Sequence, residues 1–265
     1  MSATPPGGPT PAGPPPTMAE VYGKAYLLVE ADGERPGRTR LVYEMESGAT
    51  YSEDAAEYFA GPEGWFPPDV IACREAAGRV LDIGCGPGRH ALAIAAAGHE
   101  VVGLDVSADA VAVARRRGVD ARLGSLLDPP GGIGTFDTLL LLGASLALLT
   151  TYPRLRAGLA ALAAVANPGA RLLASDVAVD TAQEPSRLRV CIERDGRRSG
   201  WSAWSGGEPY MGPEDLAGAV GGTAWRVEDI VYPQEEARGG YLARLRLTAD
   251  PAAPEGGPSH HGGTT

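Results

Sequence analysis

The chain has few cysteines, few aromatic residues and fewer basic than acidic side chains, and each shortage argues against a class of protein. Its three cysteines are Cys73, Cys85 and Cys191. An odd, scattered set favours neither a disulfide framework nor a zinc site, and we expect no metal. With 23 basic against 33 acidic residues, the formal net charge is −10. A chain this acidic is not expected to have nucleic acid or an anionic membrane as its main partner.

Long apolar runs are also missing. The longest, LLLLGASLALL, spans residues 139–149 and is well short of the roughly 20 residues that cross a bilayer. The N-terminus has neither the positive segment nor the apolar run of a secretory signal. We therefore predict a soluble, cytoplasmic protein, and the sequence leaves its oligomeric state open.

Glycine and proline are abundant, with 37 and 23 residues, and much of the excess lies at the two ends. Residues 1–17 and 249–265 lack the apolar side chains that would offset the entropy of ordering, so both are predicted to be disordered tails. Residues 18–78 are interpreted as a lid or substrate-binding segment, in which SEDAAEYFA is expected to be a helix capped by Ser52. Residues 79–248 are interpreted as the core, with an insertion at 185–210.

Within the core, short apolar segments alternate with helical ones. The segments RVLDIG, EVVGLDV, VDARLGS, FDTLLLLG and ARLLASDV are typical of strands, and the stretches between most of them have the spacing and caps of helices. This alternation predicts an α/β fold with a parallel, doubly wound, Rossmann-like sheet. Towards the C-terminus, Asp195-Gly196 indicates a hairpin turn, and WRVEDIVY and YLARLRLT are predicted to be the last two strands.

The segment that carries most chemical information is Leu81–Gly88, LDIGCGPG. A strand brings Asp82 to a tight turn, and small residues then let the backbone approach a ligand closely. A helix follows, whose N-terminus adds N–H groups and a positive dipole. One strand later, EVVGLD ends in Asp105, where a carboxylate can accept both hydroxyls of a ribose. Together these features predict a nucleotide-shaped site.

The spacing argues against a dinucleotide. The Gly-x-Gly-x-x-Gly fingerprint, counted from Gly84 and Gly86, requires glycine at position 89, where this chain has Arg89. In addition, Asp82 would face a pyrophosphate with a like charge, whereas it suits a cation such as the amino group of a methionine moiety. A nicotinamide-dependent oxidoreductase is therefore the less favoured alternative, and the chain also lacks a Tyr-x-x-x-Lys pair.

LDIGCGPG, GLDVS, FDTLLLLG and NPGARLL together resemble the class I S-adenosylmethionine-dependent methyltransferases, and GRHALAIAAAGHEVVGLDVS is similar to the small-molecule enzymes of actinomycetes. The resemblance spans about residues 79–180. It implies a seven-stranded sheet, mostly parallel with an antiparallel last strand. It also implies S-adenosyl-L-methionine as cofactor, a small-molecule methyl acceptor and a place in specialised metabolism.

The resemblance also implies which residues contact the cofactor. Asp82 and the glycine turn would flank its methionine part, Asp105 its ribose, and Ser125 and Leu126 its adenine. The complete predicted cofactor set is Asp82, Gly84, Cys85, Gly86, Gly88, Asp105, Val106, Ser125, Leu126 and Gly143. The chain departs from the family pattern at two places. It has Gly124-Ser125 where relatives commonly have an acidic residue, and Ala144-Ser145 where they commonly have polar residues.

Methyl transfer from a sulfonium is an in-line displacement, so the protein is expected mainly to align the reactants. Asp176, at the end of a strand, is predicted to act as a base or as an anchor for the acceptor. Aromatic residues outside the core, Tyr51, Trp65 and Trp201, are predicted to contact the acceptor. A protein that binds the same cofactor without transferring a methyl group, as a regulatory or cyclising relative, remains an alternative.

Overall fold

A computed structural model of the protein describes residues 13–143, 152–177, 187–206, 213–233 and 240–248. The predicted C-terminal tail and residues 1–12 lie outside these ranges. The helices are α1 (Met18–Ala31), α2 (Pro67–Glu75), α3 (Arg89–Ala96), α4 (Ala108–Arg116), α5 (Tyr152–Ala164) and α6 (Pro213–Val220), with short 3₁₀ turns at Ala55–Phe59 and Pro62–Gly64.

Twelve strands are found in the described part of the chain, and they form two sheets. The strands are β1 (Thr39–Met45), β2 (Thr50–Asp54), β3 (Arg79–Ile83), β4 (Glu100–Asp105), β5 (Asp120–Leu123), β6 (Phe136–Leu141), β7 (Ala166–Val177), β8 (Arg187–Arg194), β9 (Arg197–Arg198), β10 (Ser205–Gly206), β11 (Trp225–Val231) and β12 (Gly240–Leu247).

The larger sheet has seven strands in the order β11-β12-β7-β6-β3-β4-β5. Strands β3 to β7 pair in parallel, whereas β12 runs antiparallel to both β7 and β11. Its central strands are apolar on both faces because helices cover both sides; Leu139, Leu140 and Leu141 of β6, for example, are all fully buried. The predicted Rossmann-like sheet with an antiparallel last strand is confirmed.

The smaller sheet joins two segments that are far apart in the sequence. Strand β1 pairs with β2 on one side and with β8 on the other, and β8 also pairs with β9 and β10. Asp195 and Gly196 both have positive φ at the β8–β9 turn, so the predicted hairpin is present. The N-terminal segment and the predicted insertion thus build one structure.

Helix α1 lies between the small sheet and helix α4. Val21, Ala25 and Val29 are buried in one apolar cluster with side chains of β1, β8 and α4. The helix begins with a capping box: the Thr17 side chain accepts from the Glu20 N–H at 3.2 Å, and the Thr17 N–H donates to the Glu20 carboxylate at 2.6 Å. Thr17, assigned above to a tail, is therefore part of the helix start.

One local prediction is wrong. SEDAAEYFA is not an α-helix capped by Ser52: Ser52 lies within β2, and Asp54 caps a 3₁₀ turn over Ala55–Phe59 through the Ala56 N–H at 3.0 Å. The start of the segment is part of strand β2 because it pairs with β1, and this pairing outweighs local propensity. Helix α2 was not predicted from the sequence; Pro67 and Pro68 fit its first turn, where no N–H partner is needed.

None of the helices in the described part of the chain has the length and hydropathy of a membrane span.

Candidate cofactor and active site

A cleft of about 450 Å³ lies at the carboxyl ends of the central parallel strands. Its floor comes from the β3–α3 turn and from the residues that follow β4, β5 and β6, and helix α1 forms its opposite wall. Doubly wound sheets bind ligands at this edge, where the strand order reverses. The volume is in the range of sites for small molecules and cofactors.

The glycine turn has the conformation that its sequence requires. Gly84, Gly86 and Gly88 all have positive φ, at 72°, 54° and 87°, which side chains other than glycine rarely adopt. At Gly88 a Cβ would also lie 2.6 Å from Cγ2 of Val119. The backbone of the turn is joined to β4, since the Gly84 N–H donates to the Leu104 carbonyl at 2.7 Å. The turn therefore presents bare backbone at the cleft floor.

Asp105 stands at the end of β4 and faces the cleft. Its carboxylate accepts from the Gly86 N–H at 2.9 Å and from the Ser107 N–H at 2.8 Å, one on each oxygen. Each oxygen keeps lone-pair capacity for a further donor. Burial raises the pKa of Asp105, and the bonds from Ser107 and Gly86 oppose that rise. This carboxylate can accept a pair of adjacent hydroxyls.

Asp82 occupies a different position from Asp105. It is buried, with 1% of its surface exposed, and does not line the cleft. Burial raises its pKa, while the charges of His90 and Arg89 and the Ala91 N–H oppose the rise. Its Oδ2 has no hydrogen-bond partner among the described residues. The carboxylate therefore lies behind the turn, so a direct contact with a ligand amino group stays a prediction.

Most of the predicted cofactor residues come together in the cleft. Those that line it are Gly84, Cys85, Gly86, Asp105, Val106, Ser125, Leu126 and Gly143. Cys85 is buried against Gly103, where an added Cβ would lie 2.8 Å from its sulfur, and burial raises the pKa of its thiol well above the usual value. Cys85 therefore acts as a small apolar filler.

The predicted catalytic and acceptor-binding residues are not among the described residues that line the cleft. Asp176 is buried in β7, opposite Tyr241 of β12. Trp65 is buried, donates its indole N–H to the Ala60 carbonyl at 2.7 Å, and packs edge-on against the ring of His90. Their proposed roles stay predictions.

Of the other two acceptor candidates, Tyr51 lies in β2 and Trp201 lies in the connection between β9 and β10. Tyr51 is exposed and stacks on Tyr43, with ring centroids 4.5 Å apart. Trp201 is half-buried, and the Arg189 guanidinium lies 4.8 Å from its ring centroid. Both rings thus have neighbours within the small sheet.

Three tyrosines, Tyr22, Tyr26 and Tyr58, form a wall of the cleft that was not predicted from the sequence, and we call it the tyrosine wall. Tyr22 and Tyr26 of α1 line the cleft together with Tyr58, and the Tyr26 ring would lie 3.5 Å from a Cβ on Gly86. Tyr22 and Tyr26 are four residues apart, a spacing that puts both on one helix face. That spacing was the only local signal for this wall, because nothing in the sequence indicates which surface the face covers.

Two hydroxyls of this wall, those of Tyr22 and Tyr58, are linked by hydrogen bonds to Glu53, the first of them through Tyr43. Tyr22 meets Tyr43 at 2.5 Å between hydroxyl oxygens, Tyr43 donates to the Glu53 carboxylate, and Tyr58 donates to the same carboxylate oxygen at 2.8 Å. Burial raises the pKa of Tyr22 and Tyr58 well above the usual phenol value. Tyr22 and Tyr58 are therefore un-ionised, and hydrogen bonds to Tyr43 and Glu53 hold their hydroxyls in place.

A buried group of charges lies beside the methionine end predicted for the cleft. Asp69 of α2 is fully buried and accepts from the Ser175 hydroxyl at 2.5 Å and from the Gly143 N–H at 3.2 Å. Its other oxygen is 3.4 Å from Nε2 of His90 and 3.6 Å from Nη2 of Arg89. Burial raises its pKa, but His90, Ser175 and Gly143 outweigh burial and hold the pKa below its usual range.

The seven-stranded fold, the glycine turn and the strand-end carboxylate define a Rossmann-like domain with a site for a nucleoside-containing ligand. Residues 80–169 match the sequence family described as a methyltransferase domain. The predicted resemblance to S-adenosylmethionine-dependent methyltransferases is therefore confirmed over this segment. Comparison with curated proteins finds no significant match.

Solved structures of methyltransferases have a similar fold. A methyltransferase from Bacteroides fragilis, determined with S-adenosyl-L-homocysteine, is 20% identical over 89% of this chain and 98% of its own, with a TM-score of 0.70. The CcbJ methyltransferase of Streptomyces caelestis is 14% identical over 68% of this chain and 88% of its own, with a TM-score of 0.55. The sugar N-methyltransferase KedS8 of Streptoalloteichus is 18% identical over 67% and 83%, with a TM-score of 0.50. At these identities the likeness shows the fold alone.

Proposed function

We propose that the protein is an S-adenosyl-L-methionine-dependent methyltransferase that acts on a small-molecule acceptor. The observation that carries the proposal is the placement of the Asp105 carboxylate and the bare glycine turn on one cleft floor, within a methyltransferase domain. The three relatives described above support it: one was determined with S-adenosyl-L-homocysteine, and another is named a sugar N-methyltransferase. A role in specialised metabolism is part of the same proposal.

The residues present fit the cofactor in chemical type. Asp105 can accept both ribose hydroxyls, because each of its oxygens has one backbone donor and a free lone pair. Leu126 and Val106 offer apolar surface beside it for a flat base, and Ser125 adds a hydroxyl. The backbone from Gly84 to Gly86 leaves room for the chain that joins sulfur to the amino acid.

When bound, the cofactor supplies a methyl group on a positively charged sulfur, which is already an activated leaving group. The protein then needs mainly to hold that group and an acceptor in line, and positioning of this kind contributes about 7–11 kcal/mol in favourable cases. Helix α1 and Tyr58 line one wall of the cleft, and a wall of this kind limits the access of water to the reacting atoms. If the acceptor must lose a proton, Asp176 stays the proposed base or anchor.

Calorimetry with S-adenosyl-L-methionine, S-adenosyl-L-homocysteine and NAD tests the cofactor. We expect binding of the two sulfur nucleosides and none of NAD; binding of NAD alone contradicts the proposal. Asp105→Asn should weaken S-adenosyl-L-homocysteine binding at least tenfold, because it replaces a charged acceptor by a neutral one. Asp120→Asn, an exposed change on the neighbouring strand, is the matched control.

Transfer itself requires a separate measurement. Labelled methyl groups should appear in small molecules of a host extract when the parent protein is added, and the Asp105→Asn variant should transfer less. A parent protein that binds the cofactor but labels nothing in such extracts would favour the alternative of a binding protein that does not methylate.

A further inference from the structure

Arg89 has more hydrogen-bonding capacity than the described residues use. It is the first residue of α3 and lines the cleft, with 14% of its side chain exposed. A guanidinium carries five N–H donors. Among the described residues only one hydrogen bond is formed, from Nη1 to the Glu57 carbonyl at 3.2 Å. Because Arg89 lines the cleft, its remaining donors are available to a ligand that supplies acceptors.

The surroundings of Arg89 hold its guanidinium in one place. The Tyr58 ring centroid lies 5.5 Å from the guanidinium carbon, and Asp69 lies 3.6 Å from Nη2, a charge contact longer than a hydrogen bond. Nη2 is also 3.5 Å from the position that a Cβ on Gly143 would occupy. Arg89 thus stands between the tyrosine wall and the end of β6, beside the glycine turn.

We propose that Arg89 binds the carboxylate of the methionine part of the cofactor. The inference rests on the proposed function, which places the amino-acid end of the ligand at the glycine turn. A planar guanidinium with two adjacent N–H groups matches a carboxylate in geometry and charge. Asp69 is then a positioning residue. Its carboxylate accepts hydrogen bonds from Ser175 and from the Gly143 N–H, and its charge attracts Nη2 of Arg89 at 3.6 Å without accepting a hydrogen bond from it.

The test removes the carboxylate from the ligand and the guanidinium from the protein in turn. The ligands are S-adenosyl-L-homocysteine and S-adenosyl-3-thiopropylamine, which lacks only the carboxylate. The parent should bind the first roughly tenfold to a hundredfold more tightly, as expected for a charge-assisted pair. Arg89→Met should lose that preference by weakening the first ligand while leaving the second within about threefold. Arg89→Lys should keep part of the preference, because it keeps the charge but not the planar fork.

Control variants separate this role from a structural one. Arg116→Met removes an equal charge from an exposed site and should leave both affinities unchanged. Asp69→Asn should reduce the preference between the two ligands, a readout that loss of packing alone would not move. Thermal unfolding of every variant identifies any that fails to fold, and Arg89→Lys then carries the test.

Two outcomes overturn the inference. In one, Arg89→Met weakens both ligands equally. In the other, Arg154→Met, at the other arginine among the described residues that line the cleft, removes the preference while Arg89→Met keeps it. A parent protein that binds neither sulfur nucleoside contradicts the proposed function instead, so the two failures are distinguishable.

Discussion

Gly23 of α1 lies where that helix crosses the start of α4. An added Cβ would lie 2.1 Å from Oγ of Ser107, 2.9 Å from Cβ of Asp109 and 3.3 Å from the Ala110 nitrogen. Ser107 is the N-cap of α4, and its hydroxyl accepts from the Ala110 N–H at 3.3 Å. Gly23→Ala must therefore displace the cap or move one helix away from the other.

The magnitude follows from opposing terms. Alanine favours a helix interior by about 1 kcal/mol over glycine. Against this, overpacking costs about 1–3 kcal/mol, and loss of the N-cap costs about 1 kcal/mol more. The net expectation is a destabilisation of about 1–3 kcal/mol, or a fall in melting temperature of roughly 2–10 °C for a domain of this size.

Chemical and thermal unfolding measure this loss, and Gly218→Ala in α6 is the matched control. At Gly218 nothing lies within 4 Å of an added Cβ, so the same change should stabilise by up to about 1 kcal/mol. Because Tyr22 and Tyr26 lie on α1, Gly23→Ala should also weaken S-adenosyl-L-homocysteine binding several-fold. A Gly23→Ala protein as stable as Gly218→Ala would refute the close crossing.

Three further predictions concern polar groups. Asp105→Asn should lower the affinity for S-adenosyl-L-homocysteine at least tenfold by calorimetry; an unchanged affinity removes it from the site. Burial raises the pKa of Asp82, so its ionisation costs stability as pH rises from its unfolded to its folded pKa. Urea titrations should therefore show Asp82→Asn gaining stability relative to the parent as the pH rises above the unfolded aspartate pKa of about 3.9, and a difference that stays constant with pH contradicts this. The Trp225 indole donates to the buried Leu159 carbonyl at 2.8 Å; Trp225→Phe should cost about 1–3 kcal/mol of unfolding free energy, and no loss means that the bond is not formed.

The core of the fold was predictable because its signals are local. Continuous apolar strands, capped helices and glycine turns recur at short spacing from residue 79 onward. Ser107, for instance, stands directly before α4, where serine is a favoured N-cap, and its hydroxyl accepts from the Ala110 N–H. The handedness of β-α-β units then leaves few arrangements of the sheet. The cofactor residues were implied by the family resemblance, and eight of them line one cleft because strand ends in a parallel sheet meet at one edge.

The segments outside the core were harder because their partners are distant in sequence. Part of strand β2 was predicted to be helical from its local sequence, but pairing with β1 decides its conformation. The ring of Trp201 lies 4.8 Å from the Arg189 guanidinium, a contact that no local pattern indicates, and its proposed role at the acceptor stays a prediction. No local pattern shows that β1 will pair with β8, since about 150 residues of chain separate them.

The sequence by itself determined the sheet, the glycine turn and the place of Asp105, because short-range hydrophobic patterns and turn geometry specify them. Only the tertiary structure decided that α1 lines the cleft and that Tyr22 and Tyr26 face the glycine turn. It also decided that Arg89 lies beside the end of β6 with N–H groups that the described residues leave unbonded. These features depend on which surfaces meet after the chain has folded. Such contacts come from packing between segments that are distant in sequence, and local propensity does not predict them.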